Sequence, residues 1–87
     1  MSRGSYAAEL IHYSVAVGEV LRECREDAGL TLNEVEEITS GRLKASIVSA
    51  YERADRSASL ERLLELARFY QVPPDLLLSV IEKRCQR

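Results

Sequence analysis

The residues best suited to chemistry in this 87-residue chain are cations and hydroxyls gathered on one stretch, Lys44-Ala-Ser-Ile-Val-Ser-Ala-Tyr-Glu-Arg53. Ammonium and guanidinium groups make charge-assisted hydrogen bonds to anionic oxygens, and serine hydroxyls both donate and accept. That set suits contact with a polyanion, not bond making. The spacing says how the groups are presented. Ile47, Val48 and Tyr51 recur at i, i+1 and i+4, an inner apolar stripe at helical period. Lys44, Ser46, Ser49 and Arg53 cover much of the remaining surface with short or basic side chains. A helix this slim can enter a groove that bulky or acidic side chains would block. Just before it, Thr31-Leu-Asn-Glu-Val-Glu-Glu-Ile38 reads as a second short helix, and a Gly-containing connection joins the two. Two short helices linked in this way suggest a helix-turn-helix, and the rest of the chain becomes its frame.

Length and composition bound that frame. Eighty-seven residues make one domain with a small core. Apolar content is 46%, with no Trp and two Pro, which suits a compact helical protein. Net charge is only −2 but is unevenly spread. In residues 1–40, Arg3, Arg22 and Arg25 face Glu9, Glu19, Glu23, Glu26, Asp27, Glu34, Glu36 and Glu37. In residues 41–56 the balance reverses: Arg42, Lys44, Arg53 and Arg56 against Glu52 and Asp55. The local sign at the candidate site is therefore positive, although the mean argues against tight, indiscriminate binding to nucleic acid. Cys24 falls on the apolar stripe of its helix and reads as a buried free thiol, with Cys85 near a frayed end. No Cys or His pair has metal-ligand spacing, so no metal is expected. No apolar run approaches the roughly 18 residues of a membrane span, and no secretion signal opens the chain. A cytoplasmic location, no membrane and no cofactor follow as expectations.

Along the chain, Met1 to Gly4 reads as a disordered start and residues 1–14 as a partly helical extension. Ser14 either caps a fresh helix or lies inside one long one. A firm helix spans Val15–Ala28, with Val17, Val20, Leu21, Cys24 and Ala28 as its buried stripe and Gly29 as its stop. Leu30 plugs the core. Thr31 and Glu34 form a capping-box pattern, with Val35 and Ile38 as the core residues of the second helix. Ser59 caps a fourth helix, about Leu60–Tyr70. Val72-Pro-Pro-Asp75 restarts a fifth, because proline is tolerated in a first turn. That helix carries Leu76, Leu77, Val80 and Ile81, and residues 83–87 form a tail after a main domain of 15–82. No stretch alternates as a strand does, so the expectation is all-α with five helices.

Gly29-Leu-Thr-Leu32, Val48-x-x-Tyr51-Glu52-Arg53 and Leu63-x-x-Leu66-Ala67-x-x-Tyr70-x-Val72-Pro73 resemble the lambda-repressor-type (XRE) helix-turn-helix domain. Val35-Glu-Glu37, Gly41-Arg42-x-Lys44-Ala45, Tyr51-Glu-Arg-x-Asp-Arg56 and Phe69-Tyr70 are similar to the N-terminal DNA-binding domain of BldD-type actinobacterial regulators. The likeness covers about Val17–Leu78 and includes the long Ser40–Leu43 connection. It implies a five-helix domain that lays helix three in the major groove of double-stranded DNA, usually as a homodimer. By position it assigns Lys44, Ala45, Ser46, Ser49 and Ala50 to bases or backbone, and Arg42 and Arg53 to phosphates. It also pairs Arg25 with Glu52 as a buried tie between helix one and helix three. BldD-type regulators continue into a second domain that binds a cyclic dinucleotide, so no cyclic dinucleotide is expected here. Where the family commonly has Gly ending helix three, this chain has Ala54. A left-handed stop there costs about a kcal/mol.

Each of these residues also has a plainer reading. Arg42, Lys44 and Arg56 can be solvated charges, and Arg25 and Glu52 two unrelated surface groups. Helix three has no Gln or Asn and no central Arg, so it lacks the bidentate base contact worth roughly 1–3 kcal/mol. Sequence preference must then come from Lys44, Arg42 and DNA shape. Glu34, Glu36 and Glu37 have no nucleophile or base beside them and read as a cap or a solvated face. His12 has no partner at useful spacing and reads as structural or surface. With no nucleophile–base pair and no phosphate loop, an enzyme is not expected. Tyr6, Tyr13, Leu64, Phe69, Leu77, Leu78 and Ile81 exceed what five small helices hide, and of these Leu64, Phe69, Leu77, Leu78 and Ile81 make a candidate interface. The first reading is a sequence-specific, homodimeric transcriptional regulator. The alternative keeps the frame but binds a protein partner, such as another transcription factor or a sigma factor.

Overall fold

A computed structural model describes the backbone of residues 6–86 and the side chains of residues 12–86. Five helices follow one another: α1 (Tyr6–Asp27), α2 (Leu32–Ile38), α3 (Ala45–Glu52), α4 (Leu60–Phe69) and α5 (Pro74–Cys85). No strand occurs among the described residues. This is the all-α, lambda-repressor-like architecture expected. The proposed disordered start at residues 1–4 lies outside the described residues. At Ser14 the choice falls to a single helix, because α1 runs through it without a break. The expected tail of residues 83–87 begins inside a helix too, since α5 continues to Cys85.

Local chemistry explains the breaks. Gly29 takes φ +73° after α1, and the Leu30 N–H returns to the Arg25 carbonyl at 3.2 Å. Thr31 then opens α2 with a full capping box: its Oγ1 accepts from the Glu34 N–H at 3.1 Å, and Glu34 Oε1 accepts from the Thr31 N–H at 2.9 Å. Ser40 and Gly41 take successive left-handed conformations, φ 53° and 82°, and turn the chain toward α3. The Thr39 hydroxyl donates to the Val35 carbonyl at 2.8 Å and accepts from the Leu43 N–H at 3.0 Å, which fixes that turn. Ala54 does adopt the left-handed stop, φ 60°, despite its Cβ. Ser59 caps α4 through the Arg62 N–H, and Pro74 sits in the first turn of α5.

Two apolar clusters hold the helices. One gathers Leu21, Val35, Leu43, Val48, Tyr51, Leu66 and Tyr70 under the helix-turn-helix. The other gathers Ala16, Val20, Ala67, Leu77 and Ile81 between α1, α4 and α5. Val17, Cys24 and Val72 pack on both, so the clusters share a seam. Helix α1 is the common element, packing on α3 and α5.

Several sequence expectations change here. Leu77 and Ile81 are buried at 1% and 5%, so they close the second cluster and offer nothing to a partner surface. Ile38 is exposed, because α2 ends there and turns its last residue outward; Leu43, in the connection, fills the core instead. Ala28 is exposed for a similar reason, standing in the turn beyond α1. Ala16 and Gly18 are buried on α1 and were not anticipated. A Cβ on Gly18 would stand 2.5 Å from the Glu52 carbonyl oxygen and 2.7 Å from that of Tyr51. Glycine there lets the backbone of α1 rest directly on the last turn of α3.

Candidate nucleic-acid interface

Helix α3 is pinned from below and open above. Val48 and Tyr51 are buried at 1% and 7%, and Ile47 is half-buried against the same cluster. Lys44, Ser46 and Arg53 are exposed, while Ala45, Ser49 and Ala50 are half-buried along the flank. The outward edge therefore carries the residues expected of it, and no acidic side chain of α3 stands among them. Its one carboxylate, Glu52, is turned inward. Glu52 accepts from Arg25 Nε at 2.8 Å and Nη2 at 3.0 Å, and the two side chains are only 6% and 13% exposed. Arg25 Nη1 also donates to the Leu30 carbonyl at 2.9 Å. One guanidinium thus ties α1, the turn before α2 and the end of α3. The hydrogen bond to Glu52 raises the Arg25 pKa above its ordinary value, against the opposing effect of burial.

The N-terminus of α3 is held by a residue that the sequence did not single out. Lys44 is the N-cap but its side chain makes no capping bond. Instead Glu36 Oε1, reaching from α2, accepts the Ala45 N–H at 2.8 Å. The separation of nine residues matches no local capping pattern, so only the fold reveals it. It does fit the expectation that the glutamates of α2 serve as caps.

The basic residues separate into two groups. Arg42 and Lys44 line a cleft of about 220 Å³ at the start of α3, together with Arg62 from α4. Arg42 is bound side-on to Glu65, Nε to Oε2 at 2.9 Å and Nη2 to Oε1 at 3.3 Å. Arg62 Nη1 donates to the same Glu65 Oε1 at 2.9 Å. The hydrogen bond from Arg42 holds the Glu65 carboxyl below the usual carboxylate range, with Arg62 adding to it. At the other end, Arg53 donates to Asp55 at 3.0 Å and to Ser49 Oγ at 3.0 Å. Arg56 lies beyond it and lines a separate hollow against Tyr13, Ser14 and Val17 of α1. The structure thus brings Arg42 and Lys44 together before α3, places Arg53 at its C-cap, and sets Arg56 apart. The Arg42 and Arg53 side chains are 68% and 62% exposed. Ion pairs this exposed are screened by water and salt, so another anion can displace the carboxylates.

Arg62 and Glu65 were missed at the level of sequence. Their i, i+3 spacing marks a surface pair, but nothing local shows that Arg42 joins them from 23 residues away. Among the described residues no cluster of three or more His, Cys, Asp or Glu could hold a metal ion, and no helix is long and apolar enough to cross a membrane.

Comparisons with known proteins agree with this geometry. A helix-turn-helix family profile matches residues 21–77. The structure of the S. venezulae BldD DNA-binding domain is 48% identical, superposes with a TM-score of 0.71, and shares 75% of this chain and 94% of its own. A crystal structure of the DNA-binding domain of BldD gives 48% identity and a TM-score of 0.72, over 75% of this chain and 92% of that one. A search of curated proteins returns no match. From the matched profile, the five-helix fold and the 48% identity to two solved DNA-binding domains, the chain belongs to the XRE-type helix-turn-helix family and is BldD-like within it.

Proposed function

We propose that the chain is a transcriptional regulator that binds double-stranded DNA sequence-specifically, as a homodimer, with α3 in the major groove. It acts by binding and not by catalysis. The observation that carries this reading is the two-sided build of α3. Its only acid is folded inward onto Arg25, and its outer edge presents Lys44, Ala45, Ser46, Ser49 and Ala50. Arg42 and Arg53 flank that edge as phosphate contacts, and Arg56 extends the basic surface toward α1. The two solved relatives are DNA-binding domains, which supports the same reading. Phosphate contacts supply salt-dependent, sequence-blind affinity. Base preference rests on Lys44, the two serines, apolar contact from the alanines, and DNA shape, so discrimination is modest.

A gel shift titrated with salt tests the reading. Wild-type affinity should fall steeply as salt rises, and Lys44→Glu or Arg42→Glu should abolish the shift. Sedimentation of the complex reports whether two copies bind. Leu64 and Phe69 are half-buried and Leu78 is 41% exposed, which leaves a candidate interface on α4 and α5. If neither charge reversal changes function while Phe69→Glu or Leu78→Glu does, the chain is a protein-binding module and the DNA reading is wrong.

A further inference from the structure

We infer that the cleft at the start of α3 is a binding site for one backbone phosphate, with Arg62 of α4 as its second guanidinium beside Arg42. The inference rests on the DNA-binding reading and adds a contact from outside the helix-turn-helix. Arg62, Arg42 and Lys44 all line the cleft, so three cations from α4 and from the turn before α3 converge on one hollow of about 220 Å³. Its floor is apolar, built from Leu43, Ile47 and Val48. An anion entering it meets donors at the rim and apolar side chains beneath. Both arginines are already oriented. Glu65 takes Nε and Nη2 of Arg42 and Nη1 of Arg62, at 2.9, 3.3 and 2.9 Å.

That leaves Arg42 Nη1 and Arg62 Nη2 outside the bonds to Glu65, as donors for a further acceptor. Glu65 is a positioning residue. It holds two like charges side by side that would otherwise repel, while the three cations still exceed its single negative charge. The Arg62 side chain is 26% exposed, so its stem is fixed by packing and its head is ordered before any ligand arrives.

The test is the salt slope of binding to a duplex, measured for the full chain by fluorescence anisotropy. Arg62→Ala should lower the slope by about 0.9 and weaken binding about 5–10-fold near 100 mM salt, equally on any sequence. Glu65→Gln keeps both cations and should keep the wild-type slope. Arg68→Ala, near the other end of α4, is the control and should leave the slope as it was. Thermal melts of each variant confirm folding at the assay temperature. An unchanged slope for Arg62→Ala, with a reduced one for Arg42→Ala, overturns the proposal and leaves the DNA reading standing. Weaker binding at an unchanged slope in Glu65→Gln is the mark of a positioning residue, whereas a slope lowered as far as in Arg62→Ala overturns the proposal, because that substitution removes no cation. If wild type shows no salt-dependent duplex binding, the DNA reading falls and the phosphate site with it.

Discussion

At the scale of single residues, the sign of a substitution depends on where its atoms must go. Glycine inside an α-helix ordinarily costs about 1 kcal/mol relative to alanine, so Gly18→Ala in the middle of α1 should stabilise an isolated helix. In this fold the added methyl meets two backbone carbonyls of α3 well inside contact distance. Backbone cannot swing aside as a side chain can. Gly18→Ala should therefore destabilise the protein by about 1–3 kcal/mol, read as a lower urea midpoint with little change in m-value. A gain in stability would mean that the two helices are further apart than described. Nothing in the sequence distinguished this glycine from one tolerated on a surface, since its partner carbonyls come from more than 30 residues later. The capping residues Thr31 and Ser59 were legible for the opposite reason: their partners lie three residues away.

Among the elements, the decisive join is between α1 and α3. Helix α3 has eight residues, too few to hold itself together in water, and its shape comes from what it packs on. Arg25 supplies the one strong polar link. Its removal leaves the Glu52 carboxylate nearly sealed from solvent without its cation. Arg25→Ala should cost about 3 kcal/mol and loosen α3, whereas replacing both partners by apolar residues of like size should recover much of that loss. Melting curves of the single and double variants measure both. If Arg25→Ala leaves the melting temperature unchanged, the tie is not structural. The sequence disclosed this pair through a resemblance and through the place of Arg25 beside the Cys24 stripe, since the separation of 27 residues gives no spacing rule. Helix periodicity gave the stripe on α3 directly, and it misplaced Ile38, Leu77 and Ile81 because a period says which residues share a face but not where an element ends or which face meets a neighbour.

Taken whole, the molecule has ionisable groups tuned on both sides of neutrality. Glu65 is held low by Arg42, and Glu34 is held low by the Thr31 backbone N–H. A carboxyl whose folded pKa lies below its unfolded one stabilises above the unfolded value, and that stability is lost as pH falls through the folded one. On the other side, burial raises the Cys24 thiol, helped by Asp27 and Glu23, and burial raises the Tyr70 phenol further. A group with a raised folded pKa stabilises fully below its unfolded value and loses that contribution as pH climbs through the folded one. Stability should therefore be flat near neutrality, falling below about pH 4 and again above about pH 8.5. Urea titrations across that range check the profile. Glu65→Gln should shallow the acid limb and Cys24→Ala the alkaline one.

The contact between Glu36 and the first amide of α3 bears on residence time. A free helix start is among the best grips a polypeptide offers an anion, through its unpaired N–H groups and their summed dipole. Here one of those amides is already taken by the protein's own carboxylate, which also lends the spot a negative charge. A duplex must then be gripped chiefly by solvent-bathed cations, which are quick to engage, quick to let go and readily outcompeted by counterions. On the proposed reading, binding to most duplex sites should be brief, and longer residence should be confined to sites whose groove shape adds to that light hold.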